Sequence, residues 1–509
     1  RDLTRLAEYE RVGGYASLKK ALKMERQAII AELLAANVSG RGGAGFPMGR
    51  KASFLPKPEE SPKPIYLVAN ADESEPGTFK DREIMDRIPH MFVEGIVIAS
   101  HAIAASAAFV YIRGEYLAEF EVLRDALAEA RRAGLVGGNV LGSGWSLPIV
   151  LHRGAGAYIC GEETGMLESL EGKRGQPRTK PPFPAISGVY ASPTLINNVE
   201  TLAHLPAILR NGGEWWAGLG TRGAAGSRLW SVSGAVGKPG CYEAPNGITT
   251  RELVNEYAGG FTSEVGAVVP GGAASGILPP SALDVPLTRD ELREYGAGVG
   301  SAAVQVFPTT YSPLRLLAET MRFFAEESCQ KCTPCRIGNR ALHHLCEELE
   351  HGRSPMTREK LDEWLSRIEN ELGEYKALHP EKKVAPYAVN QICHASNDRL
   401  MKDMETCVKH KVPIIITSLR PPVEIVEAAH SYGGVVFHDV INVKHARKAA
   451  DHGVDGLILV CAGAGGHAGT LSPFALLREV KQWFKGTVLL SGAISDGWGI
   501  ASALALGAD

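Results

Sequence analysis

The stretch Ile65–Gly77, IYLVANADESEPG, decides the fold of the first part of the chain. Its first residues, Ile65–Ala69, form a β-rich run, and the carboxylates of Asp72, Glu73 and Glu75 follow directly. Open α/β sheets bind their ligands at the carboxyl ends of the strands. The pattern therefore predicts a ligand site at the end of this strand, and a solvated acidic turn is the alternative.

Helices and strands alternate on both sides of this stretch. Glu25–Asn37 has the pattern of an amphipathic helix, Met91–Ile112 that of a buried helix followed by a strand, and Leu117–Ala133 that of a charged helix. This alternation predicts a layered α/β domain over residues 1–225. Residues 226–310 change to short β-like runs between Gly and Pro turns, which indicates a small mixed β module.

The composition excludes several classes of protein. The chain has 509 residues, and 54 Lys+Arg against 57 Asp+Glu give a net charge of −3, so binding to nucleic acid is not expected. The most apolar stretch carries Glu and His and does not have the ~20 apolar residues of a membrane span. Nine cysteines are too few for a disulfide scaffold, which favours a cytoplasmic protein with a metal or redox site.

Glycine-rich and stiff segments supply the candidate cofactor loops. GRGGAGFP at Gly40–Pro47 lets backbone N–H groups approach a phosphate or a flat ring, and a flexible turn is the alternative. GAGAYICGEET at Gly154–Thr164 joins glycines, an aromatic ring and paired carboxylates. KPPFP at Lys180–Pro184 presents Phe183 for stacking or for core packing, and NNVET follows at Asn197–Thr201.

Three cysteines have the spacing C-x₂-C-x₂-C. Cys329, Cys332 and Cys335 lie on a predicted turn between two helical stretches of Pro313–Leu349. This spacing is typical of iron–sulfur ligation, and zinc is the alternative. The three thiols are therefore the predicted metal ligands.

A regular βα repeat follows a charged linker and helix. Its candidate strands are Val384–Asn390, Pro413–Ser418, Gly434–Asp439, Gly456–Val460 and Thr487–Gly492. Such a repeat predicts a parallel sheet or a (β/α) barrel, with five units against the eight of a complete barrel. The glycine-rich loop after the fourth strand makes His467 a candidate base, because barrel active sites lie at the carboxyl ends of the strands.

The N-terminal motifs resemble those of the NADH-binding flavoprotein subunit of respiratory complex I. Similar diaphorase subunits occur in NAD-linked hydrogenases and formate dehydrogenases. GRGGAGFP, NADESEPGTFKDRE, GAGAYICGEET, KPPFPA, NNVETL and ESCQKCTPCR carry the resemblance over about residues 1–353. It implies hydride transfer from NADH to FMN, single-electron transfer to a [4Fe–4S] cluster, and a quinone-reducing complex. The implied partners are the other subunits, notably a [2Fe–2S] subunit, which would hold the chain peripherally at the inner, cytoplasmic face of the cell membrane.

This resemblance also implies the site residues. FMN is expected at Gly40, Arg41, Gly42, Asn70, Asp72, Ser74, Gly161, Glu162, Asn197, Asn198 and Thr201. NADH is expected at Gly43, Phe46, Lys51, Phe54, Glu73, Glu75, Glu163 and Phe183, and Tyr158 joins the cofactor-binding set. Glu73 and Glu163 are candidate catalytic residues. The family's fourth cluster ligand lies some forty residues after the third cysteine, where this chain has a predicted helix, Leu361–Glu374, without cysteine; Cys346, the nearest, lies within a predicted helix.

From about residue 372 the chain resembles nitronate monooxygenase, an FMN-dependent (β/α)₈ barrel. The landmarks are AVNQICH, GVDGLILVCAGAGGHAG, LLSGAISDG and ALALGAD. They imply that Asn390 and Gly492 contact FMN and that His467 abstracts the substrate proton. The fragment lacks the family's first two strands and its last.

The expected fold is a multi-domain α/β protein, and its segments follow from the two resemblances. They are an FMN/NADH-binding domain at 1–225, a β-grasp module at 226–310, a helical iron–sulfur segment at 311–353, a linker and helix at 354–371, and an incomplete (β/α)₈-type barrel at 372–509. Besides the complex I function, three alternatives stay open. They are nitronate oxidation by the C-terminal part, a hydrogenase or formate dehydrogenase diaphorase, and a non-catalytic module that holds a cluster.

Overall fold

The computed structural model describes residues 2–351, 358–394, 397, 399–464, 469–492, 494 and 496–509. The chain forms two compact units, Arg1–Cys329 and Gln330–Asp509. Each unit has hydrophobic clusters of its own. The multi-domain α/β class is confirmed, while the predicted segment bounds stay predictions.

A four-stranded parallel sheet lies at the centre of the first unit. Its strands are β1 (Tyr66–Ala71), β2 (Ala107–Ile112), β3 (Ile149–Arg153) and β4 (Thr194–Asn198), in the order β3-β2-β1-β4. The chain moves outward from β1 to β3 and returns to the other side of β1 for β4. Because the strand order reverses there, β1 and β4 flank the switch point at which such sheets bind ligands.

Helices precede, separate or follow these strands in the sequence. They are α1 (Leu6–Arg11), α2 (Ala16–Ala21), α3 (Arg26–Ala36), α4 (Met48–Ala52), α5 (Lys80–Arg87), α6 (Pro89–Ala102), α7 (Leu117–Arg132), α8 (Glu163–Leu170), α9 (Pro184–Ser187), α10 (Val199–Ala203), α11 (Leu205–Asn211) and α12 (Gly213–Ala217). The predicted helices of Glu25–Asn37 and Leu117–Ala133 are confirmed as α3 and α7. Helix α6 is apolar on nearly all sides and buried, as expected for a helix without a polar face.

A second, mixed sheet follows in the same unit. Its strands are β5 (Ser227–Gly234), β6 (Gly240–Pro245), β7 (Val265–Val269) and β8 (Ala303–Pro308), in the order β6-β5-β8-β7. Strands β5 and β8 are parallel, and the two outer pairs are antiparallel. Three helices accompany it: α13 (Thr250–Glu252), α14 (Arg289–Arg293) and α15 (Pro313–Glu326). Strand β6 was not predicted, because its sequence GCYEAP lacks a clear alternation of apolar and polar residues.

The second unit contains a five-stranded parallel sheet. Its strands are β9 (Ala388–Cys393), β10 (Ile414–Leu419), β11 (Val435–Val440), β12 (Gly456–Val460) and β13 (Thr487–Ser491), in sequential order. Its helices are α16 (Thr333–Glu350), α17 (Arg358–Leu378), α18 (Leu400–Lys409), α19 (Val423–His430), α20 (Val443–Asp451), α21 (Pro473–Lys481) and α22 (Gly497–Leu506). Strand β9 begins later than the predicted Val384, because Pro386 has no N–H for a ladder hydrogen bond.

Among the residues that the structure describes, each helix is too short or too polar to cross a membrane.

Candidate functional site

A cavity of about 550 Å³ lies at the switch point between β1 and β4. Its volume is within the usual range of small-molecule sites, about 300–1,000 Å³. The predicted site residues that line this first cavity are Arg41, Gly42, Gly43, Asn70, Asp72, Ser74, Glu75, Tyr158, Gly161, Glu162 and Asn198. The structure therefore brings the glycine loop, the acidic loop and the GAGAYICGEET loop together, as the strand-end argument predicted.

The carboxyl ends of β1 and β4 form one polar wall of the first cavity. Asn70 lies opposite Asn198 in the ladder, and the Asn70 Nδ2 donates to the Gly161 oxygen at 2.9 Å. Burial raises the pKa of the Asp72 carboxyl to about 7, although a hydrogen bond from Ser74 opposes this shift. Within the described chain, the buried Asp72 Oδ1 has no hydrogen-bond partner. This wall thus offers an unsatisfied acceptor beside the cavity.

Lys80 also lines the first cavity, although the sequence analysis did not select it. Its ammonium group is buried and lies 2.7 Å from Asp81 Oδ1 and 2.9 Å from Glu200 Oε2. Burial lowers the pKa of Lys80, but Asp81 and Glu200 outweigh it and hold that pKa above its ordinary value. The FKDRE segment directly after the acidic loop contained the signal, since a charge pair beside a predicted ligand loop is itself a site candidate.

Arg41 lines the first cavity, and its guanidinium is held by partners within the protein. Its guanidinium is buried, donates to the Ser39 Oγ at 2.6 Å and to the Ser227 oxygen at 2.6 Å, and lies 3.6 Å from Glu200. Burial, reinforced by the nearby Arg228, lowers the pKa of Arg41 to about 9. The side chain ties the glycine loop to β5 rather than reaching for a ligand.

Glu73, a predicted catalytic residue, has its carboxylate buried at the start of α5. It does not line the first cavity, and its buried carboxylate accepts hydrogen bonds from Asp81 N at 2.8 Å, Arg82 N at 3.1 Å and the Tyr116 hydroxyl at 3.1 Å. These bonds satisfy free N–H groups at the start of α5. Burial and the neighbouring Asp81 raise the pKa of Glu73 to about 7. Glu73 is thus a buried carboxylate that accepts hydrogen bonds at the start of α5, and its catalytic role stays a prediction.

Glu75 connects the first cavity to the second sheet. Its two carboxylate oxygens accept from Ala274 N and from the Tyr158 hydroxyl, each at 2.6 Å. The segments 271–276 and 296–301, which lie between β7 and β8 in the sequence, also contribute lining residues. Gly272 has φ +89°, and a Cβ there would lie 2.6 Å from the Glu75 side chain, so glycine is needed for this approach.

The predicted NADH aromatics lie outside the lining of the first cavity and are exposed. Phe46, Phe54 and Phe183 are 43%, 54% and 56% exposed, and the rings of Phe46 and Phe54 are 6.1 Å apart. The core-packing alternative for Phe183 is therefore wrong. Solvent-facing rings of this size are available for stacking against a ligand.

Glu163 belongs to a charged group next to Glu162. Its carboxylate pairs with Lys51 at 3.1 Å and with Lys180 at 2.6 Å, and Lys180 also contacts Glu162 at 3.1 Å. Burial raises the pKa of Glu163, but the two ammonium groups outweigh it and hold that pKa below its ordinary value. Glu163 is thus an ionised carboxylate between two lysines.

Three further predicted residues do not line the first cavity but lie close in the sequence to residues that do. Gly40 N donates to the Phe46 oxygen at 3.0 Å and closes the glycine loop, and the Thr201 Oγ1 accepts from Arg41 N at 2.9 Å. Asn197, at the end of β4, is buried, and its Nδ2 has no hydrogen-bond partner within the described chain. These residues shape the loop or the strand end without lining the cavity.

The predicted iron–sulfur cysteines do not form a complete ligand set. Cys329 ends the first unit, Cys332 precedes α16, and Cys335 lies in its first turn, where Asn339 Nδ2 donates to the Cys335 sulfur at 3.3 Å. Cys346 lies on the same helix eleven residues further on, about 16 Å along the axis at 1.5 Å per residue, which is too far to share a cluster with Cys335. Among the described residues, no three His, Cys, Asp or Glu side chains are arranged to hold a metal ion.

In the second unit, the two predicted FMN contacts lie far apart in the sheet. Asn390 lies exposed on β9 and Gly492 follows β13, so the two are at opposite edges of the sheet. Gly492 has φ +139°, and a Cβ there would lie 3.0 Å from the Ala462 oxygen, so it packs against the loop after β12. The predicted base His467 lies outside the described residues.

Comparison with known proteins relates these regions to three families. Residues 33–207 match the Nuo51 FMN-binding domain, residues 315–374 the NADH-ubiquinone oxidoreductase-F iron-sulfur binding region, and residues 363–509 nitronate monooxygenase. An NADH-quinone oxidoreductase F subunit of Rhizobium meliloti (strain 1021) is 52% identical over 336 residues, which are 65% of this chain and 79% of that protein. The corresponding protein of Mycobacterium bovis (strain ATCC BAA-935 / AF2122/97) is 46% identical over 369 residues, 72% and 82% of the two chains.

A solved structure is also similar to this chain. The crystal structure of NAD⁺-reducing [NiFe]-hydrogenase in the H2-reduced state matches with a TM-score of 0.58 at 37% identity. The match covers 67% of this chain, and this chain spans 56% of the hydrogenase chain.

Proposed function

The chain belongs to the family of NADH-quinone oxidoreductase F subunits, and from this premise we propose that its first unit takes a hydride from NADH onto FMN held in the first cavity. The observation that carries the proposal is the meeting of the glycine loop with the polar ends of β1 and β4 in that cavity. The matched FMN-binding domain and iron–sulfur region support FMN, NADH and a [4Fe–4S] cluster as cofactors.

Two features of the first cavity fit FMN. The buried Asp72 Oδ1 has no hydrogen-bond partner within the described residues, and an isoalloxazine edge carries an N–H that can supply one. Gly161 lines the cavity, and a Cβ there would already be in van der Waals contact, at 3.6 Å from the Asp72 main-chain oxygen and 3.7 Å from the Ser74 Oγ, so a long side chain would take up cavity space. FMN, when bound, accepts two electrons as a hydride and passes them on singly.

The chain's own residues bind and orient the ligand. Gly42 and Gly43 offer backbone N–H groups for close approach, while Asn70 and Asn198 fix the polar edge of the cavity. Asn70 and Asn198 hold their positions because the strands that carry them are paired. Rigid placement of this kind is what the protein adds to cofactor chemistry.

Water exclusion comes from the second sheet of the first unit. The Glu75 carboxylate holds the segment 271–276 over the first cavity through Ala274 N and anchors Tyr158 at the opposite side. Exclusion of water protects a reduced carrier from side reactions. Glu75 is therefore proposed as a positioning residue, with no direct part in hydride transfer.

The binding of NADH is proposed at the exposed rings. Phe46, Phe54 and Phe183 offer stacking surfaces for the adenine, and the pair of Lys51 and Glu163 supplies charged and polar contacts to the rest of the dinucleotide. Stacking on aromatic side chains contributes about 1–3 kcal/mol per base in nucleic-acid complexes. The rings are thus the proposed affinity determinants.

A pair of glycine variants tests the FMN site. Gly161→Leu places a large side chain on the cavity floor, so we expect purified protein without flavin and without NADH:ferricyanide activity. Gly138→Leu is the matched control, because nothing lies within 4 Å of its Cβ position and its φ is not in the left-handed region. Full flavin content in Gly161→Leu, or wild-type protein without flavin after reconstitution, would exclude FMN from this cavity.

The transfer of electrons from this chain to an acceptor is proposed to depend on partner subunits. The relatives are subunits of NADH-quinone oxidoreductases, which supports membership of a multisubunit NADH dehydrogenase complex. We place a [2Fe–2S] subunit among the partners and propose attachment to the membrane through them. The sequence supplies three cysteines at cluster spacing, but the described residues do not bring three ligands together and a fourth cysteine is not identified, so no electron-transfer step is assigned to the cluster.

A second candidate function concerns the other unit. Its match to nitronate monooxygenase supports FMN-dependent oxidation of nitronates with His467 as the base. The five strands leave both edges of the sheet open, whereas a complete barrel has eight strands and no edges. Turnover of propionate 3-nitronate that disappears in His467→Ala would establish this activity, and absence of turnover in flavin-loaded wild-type protein would exclude it.

A further inference from the structure

A second cavity, of about 630 Å³, lies within the first unit and shares a wall with the first cavity. The shared wall contains Gly43, Ala44 and Gly300, and residues from segment 37–47 and from the second sheet region complete the lining. The two cavities differ in charge. Four carboxylates and two cations (Arg41 and Lys80) line the first cavity, whereas the charged residues in the lining of the second are three arginines.

Arg228 is the buried member of these three arginines. It lies on β5, is 4% exposed, and its Nε and Nη1 have no hydrogen-bond partner among the residues that the structure describes. Its guanidinium lies 5.5 Å from the centre of the Trp230 ring. A buried guanidinium with unsatisfied N–H groups costs free energy, which an oxyanion would recover through charge-assisted hydrogen bonds.

Glu200, the carboxylate whose charge acts on Arg228, is already engaged elsewhere. Glu200 pairs with Lys80 at 2.9 Å and with Arg41 at 3.6 Å, and Arg41 is itself buried. Burial lowers the pKa of Arg228, and Glu200 opposes that shift. The interior next to β5 therefore has more positive charge than Glu200 alone compensates.

The other polar groups of the second cavity point to the same ligand chemistry. Thr288 lines it, and its buried Oγ1 has no hydrogen-bond partner within the described part of the chain. Arg289 and Arg293 follow on α14 and are exposed, so they lie at the open side of the lining. Arginine forks match the geometry of phosphate oxygens.

We propose that the second cavity binds the phosphate group of a phosphorylated small molecule, with Arg228 at its buried end and Arg289 and Arg293 at its entrance. The cavity volume is large enough for a nucleotide-sized ligand. Because Gly43 and Ala44 line both cavities, a ligand in the second cavity contacts the same glycine loop that lines the first. The proposal does not rest on the proposed FMN and NADH sites, although Gly43 lies in the lining of both cavities.

Calorimetric titration of the FMN-loaded full chain tests the site. Inorganic phosphate, pyrophosphate and ADP are the probes, with chloride at equal ionic strength as the blank. We expect saturable binding of pyrophosphate and ADP with no change in flavin content. Tighter binding of ADP than of pyrophosphate, with both weakened by Arg228→Gln, would identify a nucleotide as the ligand class of this cavity, and equal affinities would identify the phosphate group alone. ADP binding that Arg228→Gln leaves unchanged would assign ADP to the proposed NADH position and count against a nucleotide here.

Three variants locate the binding. Arg228→Gln should weaken it about tenfold or more, which is the loss expected for a charge-assisted hydrogen bond. The double variant Arg289→Gln/Arg293→Gln changes only exposed side chains and keeps the test valid if Arg228→Gln does not fold. Lys238→Gln removes a positive charge from the same region outside the cavity and should leave the affinity unchanged. No saturable binding, or equal affinity in all variants, would overturn the proposal.

Discussion

Replacement of Glu200 by Gln tests the buried charge group that supports both cavities. The carboxylate is 1% exposed and contacts Lys80 Nζ at 2.9 Å and Arg41 Nε at 3.6 Å, and both cations are buried. Glu200→Gln keeps the size of the side chain and an oxygen that can accept from Leu229 N, now at 2.9 Å. The variant therefore removes mainly charge and leaves two buried cations with one partner fewer.

The expected loss follows from measurements on other buried ion pairs. Removing one partner of such a pair costs about 3–5 kcal/mol, because the remaining charge stays buried without compensation. Glu115→Gln is the matched control, since the side chain of Glu115 is half exposed and its 3.0 Å pair with Arg113 contributes at most about 1 kcal/mol. Urea unfolding of the full chain, followed by circular dichroism, gives both free energies.

The pH dependence gives a second readout with a definite sign. Burial raises the pKa of Glu200, but Lys80, His204 and Arg41 outweigh it and hold that pKa well below its ordinary value of 4.5. A depressed carboxyl pKa stabilises the folded state above the ordinary value and loses that stabilisation as pH falls through the folded pKa. The difference between wild type and Glu200→Gln should therefore be full at neutral pH and shrink below about pH 4.5. A Glu200→Gln variant as stable as Glu115→Gln at pH 7 would refute the reasoning.

Three further predictions concern the proposed cofactor sites. The pKa of Asp72 is raised from 3.8 to about 7, so the folded state binds the Asp72 proton more tightly than the unfolded chain does. The free energy of unfolding of wild type should therefore fall, relative to that of Asp72→Asn, as pH rises from 3.8 to about 7. Urea titrations in which the two free energies change in parallel with pH would contradict this. Phe183→Ala should raise the KM for NADH about tenfold at unchanged flavin content, whereas the equally exposed control Tyr190→Ala should not; an unchanged KM would remove Phe183 from the NADH site. Anaerobic reconstitution should load less iron into Cys335→Ser than into wild type. Cys346→Ser should take up as much iron as wild type, because Cys346 lies about 16 Å along α16 from Cys335. An equal loss of iron in both variants would refute the ligand assignment.

The sequence alone determined the α/β class, most element positions and the residues of the cofactor loops. Ile65–Ala69 predicted β1, the five βα units predicted β9 to β13 with an error of four residues at the start of β9, and the polar residues after β1 predicted the first cavity. These features are local. Hydrophobic periodicity, the missing N–H of proline and the conformational freedom of glycine act over a few neighbouring residues, so they can be inferred from the order of the amino acids.

Only the tertiary structure decided how the charged side chains are used. Arg41 reaches Ser227 across 186 positions of the sequence, and Lys80 reaches Glu200 across the gap between two helices. The Glu73 carboxylate accepts hydrogen bonds at the start of α5, and Arg228 lines a second cavity that no sequence motif predicted. Long flexible side chains of this kind select partners by burial and electrostatics after the strands have paired. Their roles depend on distances between segments that are remote in sequence, and a one-dimensional pattern does not contain those distances.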